Sequence, residues 1–126
     1  MHFVNPIIFV NDINVSKAFY SDVIGLAVEA DHGTIVIFEG HFAIHDAAAL
    51  IRTVWGDGAL VERKPFGRNN LLLYFEEDDI DACFARLSGR VELIHPIIKQ
   101  AWGQRVFRFY DPDRHAVEIG EPQTEI

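Results

Sequence analysis

Two short segments hold the side chains best suited to chemistry. "FAIHD", residues 42–46, carries His45, and "HAVEIGE", residues 115–121, carries Glu118. Each is an ionisable group inside an apolar run, where a charge needs a partner or a task. An imidazole and a carboxylate are both good ligands for a divalent ion. They can also hydrogen-bond one another with no ion present, or serve as a general base and its orienting partner. Glu118 is therefore a metal ligand, a pocket charge or an edge-strand surface residue. A His45–Glu118 hydrogen bond is the reading that asks least of the chain. Covalent catalysis has no support, because Ser16, Ser21 and Ser88 fall in or beside helices and Cys83 sits on an apolar helix face. Neither a glycine-rich phosphate loop nor a nucleophile elbow is present.

The elements that must position these groups occur twice. "FVNPIIFV", residues 3–10, predicts a strand. "INVSKAFYSDVIG" predicts a helix with Val15, Ala18, Phe19 and Val23 inward, Asp12 or Asn14 as N-cap and Gly25 as its stop. "LAVEA", "TIVIFEG" and "FAIHDA" predict three further strands. The second half repeats the order with "NLLLYFEE", the helix "DIDACFARL", then "RVELIHPI", "QRVFRFY" and "HAVEIGE". The expected fold is α+β, one domain over 1–126, with two tandem βαβββ modules at about 3–46 and 70–121. Together they are expected to form a curved, partly open eight-stranded sheet around a cleft. Residues 47–69 link the modules and include a short helix up to Trp55.

Alternation along the strands sorts the side chains. Val117 and Ile119 should meet the helix, and Ala116 and Glu118 the opposite face. The same parity sends Ile8, Val10, Phe42, Ile44, Leu71, Leu73 and Phe75 to the core. Asn5, Ile7, Phe9, Ala43, His45, Asn70, Leu72 and Tyr74 should face the cleft. A slip of one residue would invert every assignment.

A net charge of −8, with no run among the eleven basic residues, argues against nucleic acid as a partner. No segment approaches the length of a membrane helix. The start of the chain reads as a strand, not an export signal. With a single cysteine there is no internal disulfide, which suits a cytoplasmic setting.

The duplicated pattern, with "DINVSKAFYSDVIGL" in the first half and "DPDRHAVEIGE" at the end, resembles the vicinal oxygen chelate superfamily across essentially the whole chain. Glyoxalase I, extradiol dioxygenases, fosfomycin-resistance enzymes and bleomycin-resistance proteins belong to it. Its metalloenzymes take one ligand from the first and last strand of each half. The matching positions here are Asn5, His45, Leu72 and Glu118. His45 and Glu118 suit Fe, Mn, Ni or Zn, Asn5 offers a weak amide oxygen, and Leu72 offers nothing. The likeness to bleomycin-resistance proteins rests on "PIIFVNDI", Asn70 and Trp102-Gly103-Gln104-Arg105 ahead of Asp111-Pro112. It implies a homodimer that sequesters a small aromatic ligand, cationic in that family. Asn5, His45, Asn70, Tyr74, Trp102, Arg105 and Glu118 would line or frame its pocket, with Phe9, Trp55 and Asp46 as further contributors. Arg105 either meets a ligand oxygen or holds Asp111. The metalloenzyme reading, with His45 and Glu118 on the ion, is the alternative.

Overall fold

The structure is a computed structural model and describes residues 1–123. The chain divides into two compact units, Met1–Phe66 and a second that begins at Gly67. In the first, β1 (Ile7–Val10), α1 (Ile13–Ala18), β2 (Val28–Asp31), β3 (Ile35–Phe38) and β4 (Phe42–Asp46) lead into α2 (Ala47–Trp55). The sheet order is β1-β4-β3-β2. In the second, β5 (Leu72–Glu76), α3 (Ile80–Leu87), β6 (Glu92–Lys99), β7 (Arg105–Tyr110) and β8 (Ala116–Gly120) give the order β5-β8-β7-β6. The first and last strands of each unit pair in parallel, and the other pairs are antiparallel. This is an α+β fold of two tandem βαβββ modules, with the eight strands among the described residues in two open four-stranded sheets.

The repeated topology has a repeated local cause. Asp12 accepts the N–H groups of Asn14 and Val15, and Asp79 accepts that of Ala82, so each helix starts on a carboxylate cap. The side of the first helix that packs differs from the periodic reading. Beyond Ala18 the helix widens into a π-helical stretch, Phe19–Ile24. Ser16, Tyr20 and Ile24, four residues apart, form the inner face, while Val15 is 51% exposed. Tyr20 then packs edge-on against Phe42 at 5.0 Å.

Strand parity follows the sequence pattern. Ile8, Val10, Val36, Phe38, Phe42 and Ile44 are buried in the first unit. Leu73, Phe107, Phe109, Val117 and Ile119 are buried in the second, where Phe84 of α3 meets Phe107 at 5.1 Å. Leu71 lies ahead of β5 and is exposed. The first strand is shorter than expected because Pro6 has no N–H to donate to a ladder, and Phe3 and Val4 are left exposed. Ile7 pairs with Ala43, and Leu72 with Ala116. With His45 and Glu118 equivalent, the counterpart of Leu72 is therefore Ile7 and not Asn5. The connection from strand to cap is longer in the second unit, which shifts the match.

Candidate functional site

The polar groups that could serve a ligand gather on one sheet face of the second unit. Glu118 lies on β8 between Tyr74 of β5 and Arg108 of β7, each directly opposite it in the ladder. Arg108 shares the parity of Glu118 because Phe107 and Phe109, its neighbours, point to α3. Its Nε donates to Glu118 Oε1 at 2.6 Å. Glu118 is only 6% exposed, so its buried charge is compensated at short range. Two further groups fix the guanidinium. Nη1 donates to His95 Nε2 at 3.1 Å, and Nη2 donates to Gln100 Oε1 at 3.1 Å. His95 Nδ1 lies 2.7 Å from the Pro96 carbonyl, which can only accept. The ring therefore carries its hydrogen on Nδ1 and offers Nε2 to Arg108.

The turn from β6 to β7 supplies a second cluster. It closes with Gly103 N–H donating to Gln100 O at 2.9 Å and Gln100 N–H donating to Gln104 O at 2.7 Å. Gly103 has φ +96°, a left-handed conformation that glycine adopts without strain. Gln104 is buried, and its amide ties two aromatic side chains together. Its Oε1 accepts from the Trp102 indole at 3.0 Å, and its Nε2 donates to the Tyr74 hydroxyl and to Glu121 O, both at 2.8 Å. Trp102 stays 63% exposed and Tyr74 47% exposed. Gly120 makes the room for this, since a Cβ there would lie 2.4 Å from Gln104 Nε2. Tyr74 in turn donates to Glu76 Oε2 at 2.6 Å. Burial pushes the Tyr74 phenol up, and the hydrogen bond to the Glu76 carboxylate pushes it the same way.

Of the residues singled out in the sequence, Tyr74, Trp102 and Glu118 come together here. Glu118 was expected to pair with His45, but the structure gives it Arg108 within its own unit. The alternation of β7 puts Arg108 on that face, although parity alone does not set it opposite Glu118. Arg105 is a correction as well. It shares parity with Phe107 and reaches Asp81 in the first turn of α3 through two 3.0 Å bonds, and it also bonds Glu121. Asp111 is held instead by His115 at 2.9 Å, and His115 is buried. Asn70 lies ahead of β5 and accepts from the Arg68 N–H. Asn5 lies ahead of β1 and donates to the Pro6 carbonyl. In the first unit, His45 Nδ1 donates to the Asp46 carbonyl at 2.9 Å, while the Asp46 carboxylate caps α2 through Ala49. Trp55 is exposed and approaches Phe9 at 6.1 Å. Gln104 stands out in the sequence only as part of the Trp102-Gly103-Gln104-Arg105 stretch, and nothing there marks Arg108, Gln100 or His95 as site residues. Cys83 is buried in the core with its thiol pushed up by that burial, which suits packing and not nucleophilic attack.

The sequence matches the glyoxalase-like domain family over residues 3–124. The chain belongs to the vicinal oxygen chelate superfamily. A protein of unknown function from Agrobacterium tumefaciens str. C58 has a crystal structure 54% identical in sequence, with a TM-score of 0.91 over 98% of this chain and 95% of that one. A glyoxalase/bleomycin resistance protein/dioxygenase from Nocardioides is 25% identical, with a TM-score of 0.76 over 100% of this chain and 87% of that one. A lactoylglutathione lyase from Agrobacterium tumefaciens, 20% identical, shares the fold with a TM-score of 0.71 over 95% of this chain and 92% of that one. No protein of curated function matches.

Metalloenzymes of this superfamily take one ligand from each of four strand positions, and the donor set here does not fit that requirement. Leu72 and its first-unit counterpart Ile7 have no donor atom, Asn5 lies ahead of β1 with its amide turned to Pro6, and Glu118 is bonded to a guanidinium whose positive charge would repel a metal ion. Among the described residues there is no group of three or more His, Cys, Asp or Glu side chains that could hold a metal.

Proposed function

We propose that this protein binds a small, partly aromatic molecule on the sheet face of its second unit, without a metal held by the chain. One observation carries the reading. Gln104, itself buried, fixes the exposed rings of Trp102 and Tyr74 by hydrogen bonds to both. An aromatic side chain exposed by accident is free to rotate. Two rings held by one buried amide have already lost the rotamer freedom that ligand binding would otherwise cost. Leu72, 47% exposed on the same face, adds apolar surface for the body of a ligand. The Arg108–Glu118 pair supplies a polar end. Because Arg108 offsets the charge of Glu118, this reading does not require a cationic ligand.

The likeness to bleomycin-resistance proteins supports sequestration as the use of such a site, and extends to a homodimer. Light scattering on the purified chain tests the second part, with a mass of two chains expected and a mass of one against it. The binding reading is tested by titrating a set of small aromatic compounds into isotope-labelled protein. Binders should shift the Trp102 indole N–H resonance and the amides of Gln104 and Glu118, and Trp102→Ala should weaken them. Binders that shift only residues of the first unit, or that bind Trp102→Ala unchanged, would remove this face from the function.

A further inference from the structure

We infer that Arg108 reads an oxygen acceptor on the ligand, a carbonyl or carboxylate attached to the aromatic body that rests on Trp102 and Tyr74. This rests on the binding face proposed above and names the chemistry it selects. The hydrogen-bonding inventory of the face is lopsided. A guanidinium has five N–H donors. Three of those of Arg108 go to Glu118, His95 and Gln100, and two make no hydrogen bond to a described residue. Gln100 gives its carbonyl oxygen to Arg108, while its amide N–H groups likewise meet no described acceptor. The acceptors, by contrast, are largely engaged. His95 Nε2 and Gln100 Oε1 take Arg108, Gln104 Oε1 takes Trp102, and the Tyr74 oxygen takes Gln104. Glu118 Oε2 is left over, but Glu118 is almost buried, whereas the Arg108 side chain is 24% exposed. Unengaged donors thus outnumber unengaged acceptors around the guanidinium.

The two clusters are joined through one turn. Gln100 and Gln104 flank it, the first bonded to Arg108 and the second to both rings. A ligand lying over the rings therefore has a cationic, doubly donating group fixed at the other flank of the same turn. A planar fork held on three sides loses little freedom on meeting a planar acceptor. Glu76, exposed and bonded to the Tyr74 hydroxyl, is the group on this face that would favour a cationic ligand instead.

A matched series separates these possibilities. Naphthoate, acetylnaphthalene and naphthylmethylammonium share an aromatic body and differ in the polar group. Each is titrated into the labelled full chain, with the Trp102 indole N–H as readout. A Trp55→Phe variant assigns that resonance. At least one of the two oxygen-bearing probes should bind about tenfold more tightly than the ammonium, the scale of a hydrogen bond to a charged donor. The tighter of the two tells carboxylate from neutral carbonyl. Arg108→Gln alone leaves Glu118 without its counter-charge, so the preference is also measured in Arg108→Gln combined with Glu118→Gln, which keeps a hydrogen-bonded pair. The preference should vanish there while aromatic binding persists. Ammonium binding as tight as both oxygen probes, or a preference that survives the double variant, would overturn the assignment to Arg108 and leave the aromatic face standing. No response of Trp102 to any of the three would overturn the face itself, and this inference with it.

Discussion

Arg108 and Glu118 show how one cross-strand neighbour changes the chemistry open to a residue. A carboxylate on this strand could ligate an ion. With a guanidinium 2.6 Å away it becomes half of an internal pair. Removing one partner of such a pair strands the other, so Arg108→Ala should cost about 3 kcal/mol or more in urea denaturation. The combined Gln variant should lose much less. Equal losses would mean that the charges contribute little. Gly120→Ala should displace Gln104 and release Trp102, seen as a change in indole fluorescence. An unchanged spectrum would show that the turn can yield. Tyr74 gives a pH signature. Its phenol is raised above the ordinary 10.0, so the folded chain holds that proton more tightly than the unfolded chain. The resulting stability is complete below the ordinary value and is lost as pH climbs through the raised one. Ultraviolet difference titration against Tyr74→Phe should show late phenolate formation, and Glu76→Gln should bring it earlier.

Among the elements, the parts fixed by local chemistry were legible and the parts fixed by distant packing were not. The acidic caps Asp12 and Asp79, the alternation of β4, β5 and β8, and the exposed Trp102 before Gly103 could all be read from neighbours in the chain. The packed side of α1 could not, because Val15, Phe19 and Val23 have the same spacing as Ser16, Tyr20 and Ile24, and only the contact of Tyr20 with Phe42 of β4 separates them. The partner of Glu118 was hidden differently. Arg108 had the right parity, but pairing it with Glu118 needs the length of the "DPDR" turn between β7 and β8. Another partner of Arg108, His95, depends on irregularities of register on either side of it in β6, around Pro96 on a sheet edge. Equivalent caps should also have equivalent weight. Asp12→Ala and Asp79→Ala should each lower stability by about 1 kcal/mol in chemical denaturation, and a neutral result at either would mean that packing alone sets that helix start.

For the whole molecule, duplication has kept topology and let the chemistry of the halves diverge. The same last-strand position holds His45 in one unit, beside Phe9 and Ile35, and Glu118 in the other, beside Tyr74 and Arg108. The superfamily supplies the frame, and side chains unlike those of its metalloenzymes fill the second unit's sheet face. No helix among the described residues is long and apolar enough to cross a membrane. A metal-free binding face requires Glu118 to be the partner of Arg108 and not of a metal. Metal content tests that most directly. Tag-free protein is incubated anaerobically with Fe(II), Mn, Ni and Zn, desalted and measured by elemental mass spectrometry. Far less than one ion per chain is expected, with no change in Glu118→Gln. Stoichiometric metal that disappears in Glu118→Gln would contradict it and make Glu118 a ligand.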